Sequence, residues 1–153
     1  MSNPAPIPEP ALGLAQAASI VDGALAEARR REFQPLTVVV LDAGGHLLCA
    51  KREDHSGILR FEIAFGKAWG ALGMGRSSRD LEAMSKARPV FVTTLASVAG
   101  GRFVPVAGGA LILDANGRVV GAAAASGDTS DADEQCVLHG IAAAGFASNP
   151  AAA

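Results

Sequence analysis

Two cations in the middle of the chain could bind a small molecule or move a proton on it. Arg60 and Lys67 are seven residues apart in a segment that we predict to be helical, so both lie on one helix face. Such a pair could grip a carboxylate, with Lys67 moving a proton and Arg60 orienting a substrate. Without other features, two cations on a helix more often indicate a solvent-exposed face than a binding site. Gly66 and Gly70 permit close approach by another element, which favours a pocket or an interface for Lys67.

Glycines and a serine further along the chain are candidates for an anion site. Gly108 and Gly109 could line such a site with their amides, although a tight turn explains a glycine pair more simply. Ser126 and Gly127 precede a predicted C-terminal helix, whose first N–H groups could receive a carboxylate or a propionate. Helix capping is the competing interpretation, and the acidic residues nearby would repel an anion.

Histidines and cysteines offer few ligands for a metal. His46 and His55 could each ligate haem iron, but isolated histidines in loops are more often merely exposed. The spacing of the histidines and cysteines matches no zinc site, so we predict no structural metal and free thiols. Cys136 could be a reactive thiol, although a free cysteine is more often a small buried hydrophobe.

Composition excludes several classes of partner. A net charge of −2 and a pI near 5.9 give no broad positive field, so we expect no nucleic-acid partner. Charged residues and glycines interrupt every apolar run, so we expect no membrane span. The first residues do not resemble a signal peptide, and we expect a cytoplasmic location.

The sequence pattern predicts one antiparallel sheet covered by helices. Aliphatic strands flank the turns 42–45 and 114–117, which predicts two hairpins with glycine at positive φ. In the first turn, we expect the Asp42 side chain to accept backbone hydrogen bonds. We predict a fifth strand at 103–106, and its proline indicates either an edge strand or the end of a strand. Helical periodicity appears at 11–31 and 58–74, a shorter helix begins near Ser77, and a last helix begins at Ser130.

These elements predict a single α/β (α+β) domain over residues 11–148. Residues 1–10 carry four prolines, and we expect them to form a flexible arm. We expect residues 149–153 to be frayed. The Ala- and Gly-rich central and C-terminal helices expose small-residue surfaces, so we predict a homo-oligomer.

Several segments, taken in order, resemble the GlcG/HbpS family from the first helix to the last. They are residues 40–47, 63–68, Val104 with Pro105, Gly108 with Gly109, and 120–122 running on to Ser126, Gly127 and Asp131. The resemblance implies a profilin-like fold with a five-stranded antiparallel sheet, symmetric oligomers and haem binding. Relatives include the haem-binding C-terminal domain of PduO-type corrinoid adenosyltransferases, and others are encoded beside glycolate or aromatic-acid catabolism.

The resemblance implies that Asp42, Lys67 and the glycine turns match positions of the family pattern. The stretch between the central helix and Val104 is long enough to remodel a pocket, so no haem ligand is carried over. The predicted ligand-binding set is therefore Lys67, Arg60, Asp42, Gly108, Gly109, Ser126 and Gly127, with Lys67 as the catalytic candidate.

Three hypotheses follow for function. The leading one is a small-molecule-binding protein with haem or a related tetrapyrrole as its ligand. The first alternative is an enzyme or accessory protein that acts on a small organic acid in a catabolic pathway. The second alternative is a structural oligomer without a ligand.

Overall fold

A computed structural model describes residues 9–152, in which five helices and five strands follow one another along the chain. The helices are α1 (Leu14–Arg30), α2 (Arg60–Met74), α3 (Ser78–Ala87), α4 (Pro89–Val98) and α5 (Ser130–Ala143). The strands are β1 (Thr37–Asp42), β2 (Leu47–Arg52), β3 (Gly109–Leu113), β4 (Val119–Ser126) and β5 (Ala147–Asn149).

The five strands form one antiparallel sheet in the order β2-β1-β4-β3-β5. The central strands are apolar on both faces, because helices cover both sides. Val38 and Val40 of β1 pack with α1 and α5, whereas Val39 and Leu41 pack with α2. The predicted α/β fold, with helices on both faces of an antiparallel sheet, is confirmed.

The identity of the fifth strand differs from the sequence prediction. Residues 103–106 form no strand; the Val104 amide instead donates to the carbonyl of Gly66 in α2 at 3.2 Å. The fifth strand is β5, which pairs with the edge strand β3 through Leu111 and Asn149. The predicted strand at 103–106 is therefore wrong, because contact with α2 overrides the local preference. Asn149 lies in this strand, although it falls in the segment predicted to be frayed.

Two helices, α3 and α4, fill the long stretch after α2. The predicted start near Ser77 is confirmed, since the Ser77 hydroxyl accepts the Asp80 N–H at 3.2 Å. A helix over residues 89–98 was not predicted from the sequence. Pro89 begins α4, at the helical position where a missing N–H does no harm.

The two hairpin turns share one geometry. Asp42 Oδ1 accepts the amides of Gly44 and His46, each at 2.9 Å. Asp114 Oδ1 accepts the corresponding amides of Asn116 and Arg118 at 2.8 and 2.9 Å. The predicted role of Asp42 in fixing its turn is confirmed, and the second turn needs no ligand to explain it.

The turn glycines give a matched pair of substitutions. Gly45 and Gly117 have φ of 82° and 75°, so valine is strained at both by about 1–2 kcal/mol. A Cβ at position 45 would also lie 2.9 Å from Trp69 Nε1, whereas one at position 117 meets nothing within 4 Å. We expect Gly45→Val to lower the melting temperature more than Gly117→Val does, and Asp42→Asn to be mild. Equal melting temperatures for the two valine variants would contradict this.

Apart from residues 9 and 10, the predicted N-terminal arm lies outside the described residues. Within residues 9–152, no helix combines the length and the apolar character that crossing a bilayer requires.

Candidate functional site

A buried ion pair lies between α2 and α5. The Lys67 side chain leaves α2 and is 3% exposed; its Nζ donates to the Ala125 carbonyl at 3.0 Å and to Asp133 Oδ2 at 3.1 Å. A Cβ at Gly108 would lie only 2.7 Å from this Nζ, so the glycine makes room for the ammonium. Lys67 thus lies beside Gly108, but its ammonium is buried in an ion pair rather than open to a cleft, and its role in ligand binding stays a prediction.

Burial controls the electrostatics of this pair. Burial raises the pKa of the Asp133 carboxyl, and the nearby Lys67 charge opposes that rise. Burial likewise lowers the pKa of Lys67, and the Asp133 charge opposes that fall. Asp133 Oδ1 also accepts the Asp128 N–H at 3.0 Å. All these hydrogen bonds are internal to the protein. They connect α2, β4 and α5, and none of them presents a proton to solvent.

A second group of polar side chains lies at the same end of the sheet. Arg60, the first residue of α2, donates from Nη1 to Ser126 Oγ at 3.2 Å. Ser126 lies opposite Thr37 in the pairing of β4 with β1. The Thr37 and Ser56 hydroxyls are 2.8 Å apart. We call Thr37, Ser56, Arg60 and Ser126 the Arg60 cluster.

Most of the predicted ligand-binding residues therefore lie at one end of the sheet. They are Lys67, Arg60, Gly108, Gly109, Ser126 and Gly127. Asp42 is the exception, because it lies at the far end of β1, about 17 Å from Thr37 at the usual rise of a strand. Asp133 was missed, since an acidic residue in the first turn of a helix is explained by the helix dipole.

The histidines lie apart from the ion pair. His46 is in the turn after β1; its side chain is 81% exposed, and its Nδ1 is 3.2 Å from Asp42 Oδ1. His55 is exposed and lines an open polar pocket of about 360 Å³ formed by residues 52–56. Within residues 9–152, no group of three or more His, Cys, Asp or Glu side chains could hold a metal ion.

Cys136 has the properties of a buried hydrophobe. It packs in the core between α1 and α5, and burial raises the pKa of its thiol to about 12. The thiolate is the nucleophilic form of cysteine, so this environment keeps the side chain unreactive. Of the two sequence interpretations, the structure favours the packed residue.

An apolar pocket opens between the first turns of α2 and the loop after α4. It has a volume of about 300 Å³ and is lined by Phe61, Glu62, Phe65, Gly100, Gly101 and Arg102. The two phenylalanine rings are 5.9 Å apart between centroids. The Arg102 guanidinium lies 4.2 Å from the centroid of the Trp69 ring. We call this site the Phe61/Phe65 pocket. It was not predicted from the sequence, because phenylalanines four residues apart on a helix look like core residues.

The lining of this pocket suits a flat apolar ligand with an anionic substituent. Ligand sites in proteins are mostly apolar and aromatic, with a few polar groups that fix orientation. Phe61 and Phe65 supply the apolar wall, and Arg102 supplies a cation suited to a carboxylate. Glu62 lines the same pocket and places a negative charge beside that cation.

Comparison with known proteins gives one family and several similar folds. The family model described as "Haem degrading protein HbpS-like" matches residues 12–142. The crystal structure of a PduOC–haem complex has a TM-score of 0.81 at 23% identity, over 91% of this chain and 99% of that one. The ORFY protein of Klebsiella pneumoniae has a TM-score of 0.79 at 21% identity, over 94% and 97%. HbpS has a TM-score of 0.76 at 24% identity, over 93% and 97%. No curated protein sequence matches this chain.

Proposed function

Because this chain belongs to the HbpS-like family, we propose that it binds haem or a related tetrapyrrole in the Phe61/Phe65 pocket. The observation that carries the proposal is an aromatic wall on α2 with a cation, Arg102, beside it in the loop after α4. A structural neighbour of the same fold, PduOC, was crystallised as a haem complex, which supports the choice of ligand class.

The pocket residues fit the macrocycle and its propionates. Phe61 and Phe65 would contact one edge of the macrocycle, since a pocket of about 300 Å³ seats only part of it. Arg102 would hold a propionate through its planar guanidinium. Gly100 and Gly101 leave open space on that side, because a Cβ on either would meet nothing within 4 Å. When bound, haem would supply the redox chemistry of its iron.

Binding through the macrocycle should depend little on the iron. No His, Cys or Met is among the residues that line the pocket. His46 and His55, the haem-ligand candidates from the sequence, lie in other loops and stay predictions. We therefore propose that apolar contact and the propionate provide most of the affinity, and that iron-free protoporphyrin IX binds comparably to haem.

Arg102 provides the test of this assignment. We expect Arg102→Gln to weaken haem binding about tenfold, because a charge-assisted contact to a propionate is lost. Glu62→Gln should bind haem at least as tightly as the unmodified protein, since it removes a negative charge from the pocket. The matched control is Arg118→Gln, in the turn between β3 and β4. Absorbance titrations measure all three variants; unchanged affinity in Arg102→Gln would overturn the assignment.

For the Lys67–Asp133 pair we propose a structural role before a catalytic one. The two side chains are 3% and 2% exposed, and their hydrogen bonds are internal. Proton transfer on an organic acid, the alternative considered from the sequence, would need this pair to open first. Burial of both partners instead supports a structural role, in which the ion pair holds α2 against α5.

We also propose that the protein is a homo-oligomer. Large apolar side chains are exposed at Ile58, Leu59, Val90 and Val98, and a symmetry mate could cover them. The small residues of α5 serve a different purpose from the one expected, since Gly140 packs against Gly23 of α1 within the same chain. A monomer mass from light scattering at micromolar concentration would contradict the oligomer. The cytoplasmic location stays a prediction.

A further inference from the structure

We propose that the Arg60 cluster is a second binding site, for a small monocarboxylate, distinct from the Phe61/Phe65 pocket. Arg60 bonds to Ser126 on the face of the sheet that α2 covers, and neither residue is among those that line the Phe61/Phe65 pocket. The two sites therefore do not share a side chain.

Three hydroxyl groups converge at this cluster and are almost completely buried. Ser126, Thr37 and Ser56 are 0%, 1% and 8% exposed. Thr37 and Ser126 are direct cross-strand neighbours, so their side chains lie on the same face of the sheet. Ser56 extends this group from the loop before α2, through its contact with Thr37.

The cluster has more donors than acceptors. The Thr37–Ser56 contact uses the proton of one hydroxyl and leaves that of the other. The Ser126 hydroxyl accepts from Arg60, so its own proton is not used in that bond. Among residues 9–152, no carboxylate forms an ion pair with Arg60. An acceptor with negative charge is the chemical group that this set would bind.

Within the cluster Arg60 is the cation available to a ligand, and Arg52 adds an exposed cation to the open pocket beside it. Lys67 is paired with Asp133 at 3.1 Å, and Arg29 is paired with Glu53 at 2.9 Å. Arg60 lies close enough to the first pair that its charge contributes to lowering the pKa of Lys67. A guanidinium in this position can offer two parallel N–H donors to one carboxylate.

Access from solvent determines the size and charge of the ligand. Ser56 lines the polar pocket of about 360 Å³ formed by residues 52–56, and Arg60 is itself only partly buried. Glu53 and Asp54 line the same pocket with one arginine, Arg52, so a dianion would meet more repulsion from the two carboxylates than a monoanion would. A small monocarboxylate therefore fits better than phosphate or a dicarboxylate.

The test is a titration of the intact protein with acetate, followed by the backbone amide shifts in NMR spectra. We expect saturable shifts at Ser56 and Ser126, with weaker binding of inorganic phosphate and none of acetamide, the uncharged analogue. Arg60→Gln should weaken acetate binding about tenfold or more, while Arg118→Gln leaves it unchanged. Ser126→Ala, which keeps the cation, should weaken it less.

Two results would overturn the second site. One is acetamide binding as well as acetate, since the site would then not recognise charge. The other is acetate binding that Arg60→Gln and Ser126→Ala both leave unchanged. Haem titration of Arg60→Gln separates this proposal from the haem proposal, because we expect its haem affinity to match that of the unmodified protein.

Discussion

Replacing Lys67 with methionine is expected to lower the free energy of unfolding by about 3–5 kcal/mol, because it leaves the Asp133 carboxylate buried without its charge partner. Methionine keeps most of the length and apolar volume of lysine, so loss of packing contributes little. The Ala125 carbonyl also loses its contact with Nζ. Urea unfolding of Lys67→Met and the unmodified protein measures the difference.

A second substitution distinguishes loss of charge pairing from other damage. Asp133→Asn removes the buried negative charge, while its amide oxygen can still accept the Asp128 N–H. We expect the double variant Lys67→Met with Asp133→Asn to be more stable than Lys67→Met alone. If the double variant loses as much free energy of unfolding as the two single variants lose together, the two side chains are not coupled. The structural role proposed for the ion pair would then be wrong.

The same variant should show a defined pH dependence. Burial already raises the pKa of Asp133, and Lys67→Met removes the charge that opposes this rise. A carboxyl whose folded pKa exceeds its unfolded value of about 3.9 costs stability as pH rises from the unfolded to the folded pKa. The stability deficit of Lys67→Met should therefore be smaller at pH 5 than at pH 8. A deficit that grows toward pH 5 would contradict this.

Replacing Gly140 with alanine is expected to cost about 3 kcal/mol, because α1 and α5 cross at this residue without room for a side chain. A Cβ there would lie 2.3 Å from the Ile20 carbonyl oxygen and 2.9 Å from the Ala24 nitrogen. These are backbone atoms of α1, so the helices themselves would have to separate. Thermal and urea unfolding measure the loss.

Gly73 is the matched control for this substitution. It is also a helical glycine, in α2, but a Cβ there meets nothing within 4 Å. We expect Gly73→Ala to raise stability by about 0.5–1 kcal/mol, because alanine is the better helix former. Gly140→Ala as stable as Gly73→Ala would show that the helix crossing tolerates a methyl group.

Local chemistry explains which elements the sequence could predict. The two hairpins depend on an Asp and a Gly within four residues and on flanking aliphatic strands, all of which are visible in the sequence. β5 has only three residues, Ala, Ser and Asn, which do not favour strands. It is a strand because it pairs with the edge of β3, a contact that the local sequence does not indicate. Residues 103–106 look like a strand but lie against α2.

The candidate sites divide in the same way. Arg60 and Lys67 could be predicted to share one face of a helix, because they are seven residues apart. Asp133 could not be predicted as part of the site, since its first-turn position already has a local explanation. Arg102 lies beside Phe61 and Phe65 only because the chain after α4 returns to α2. No local pattern in the sequence reports that path.

A titration of the purified protein with haem tests the central proposal most directly. The absorbance of bound haem and the fluorescence of Trp69, the single tryptophan of the chain, are followed together. The proposal predicts a Soret band that saturates at about one haem per chain, with quenching of Trp69 over the same range of haem concentration. Absorbance that rises without saturation, with Trp69 fluorescence unchanged, would contradict haem binding at the Phe61/Phe65 pocket.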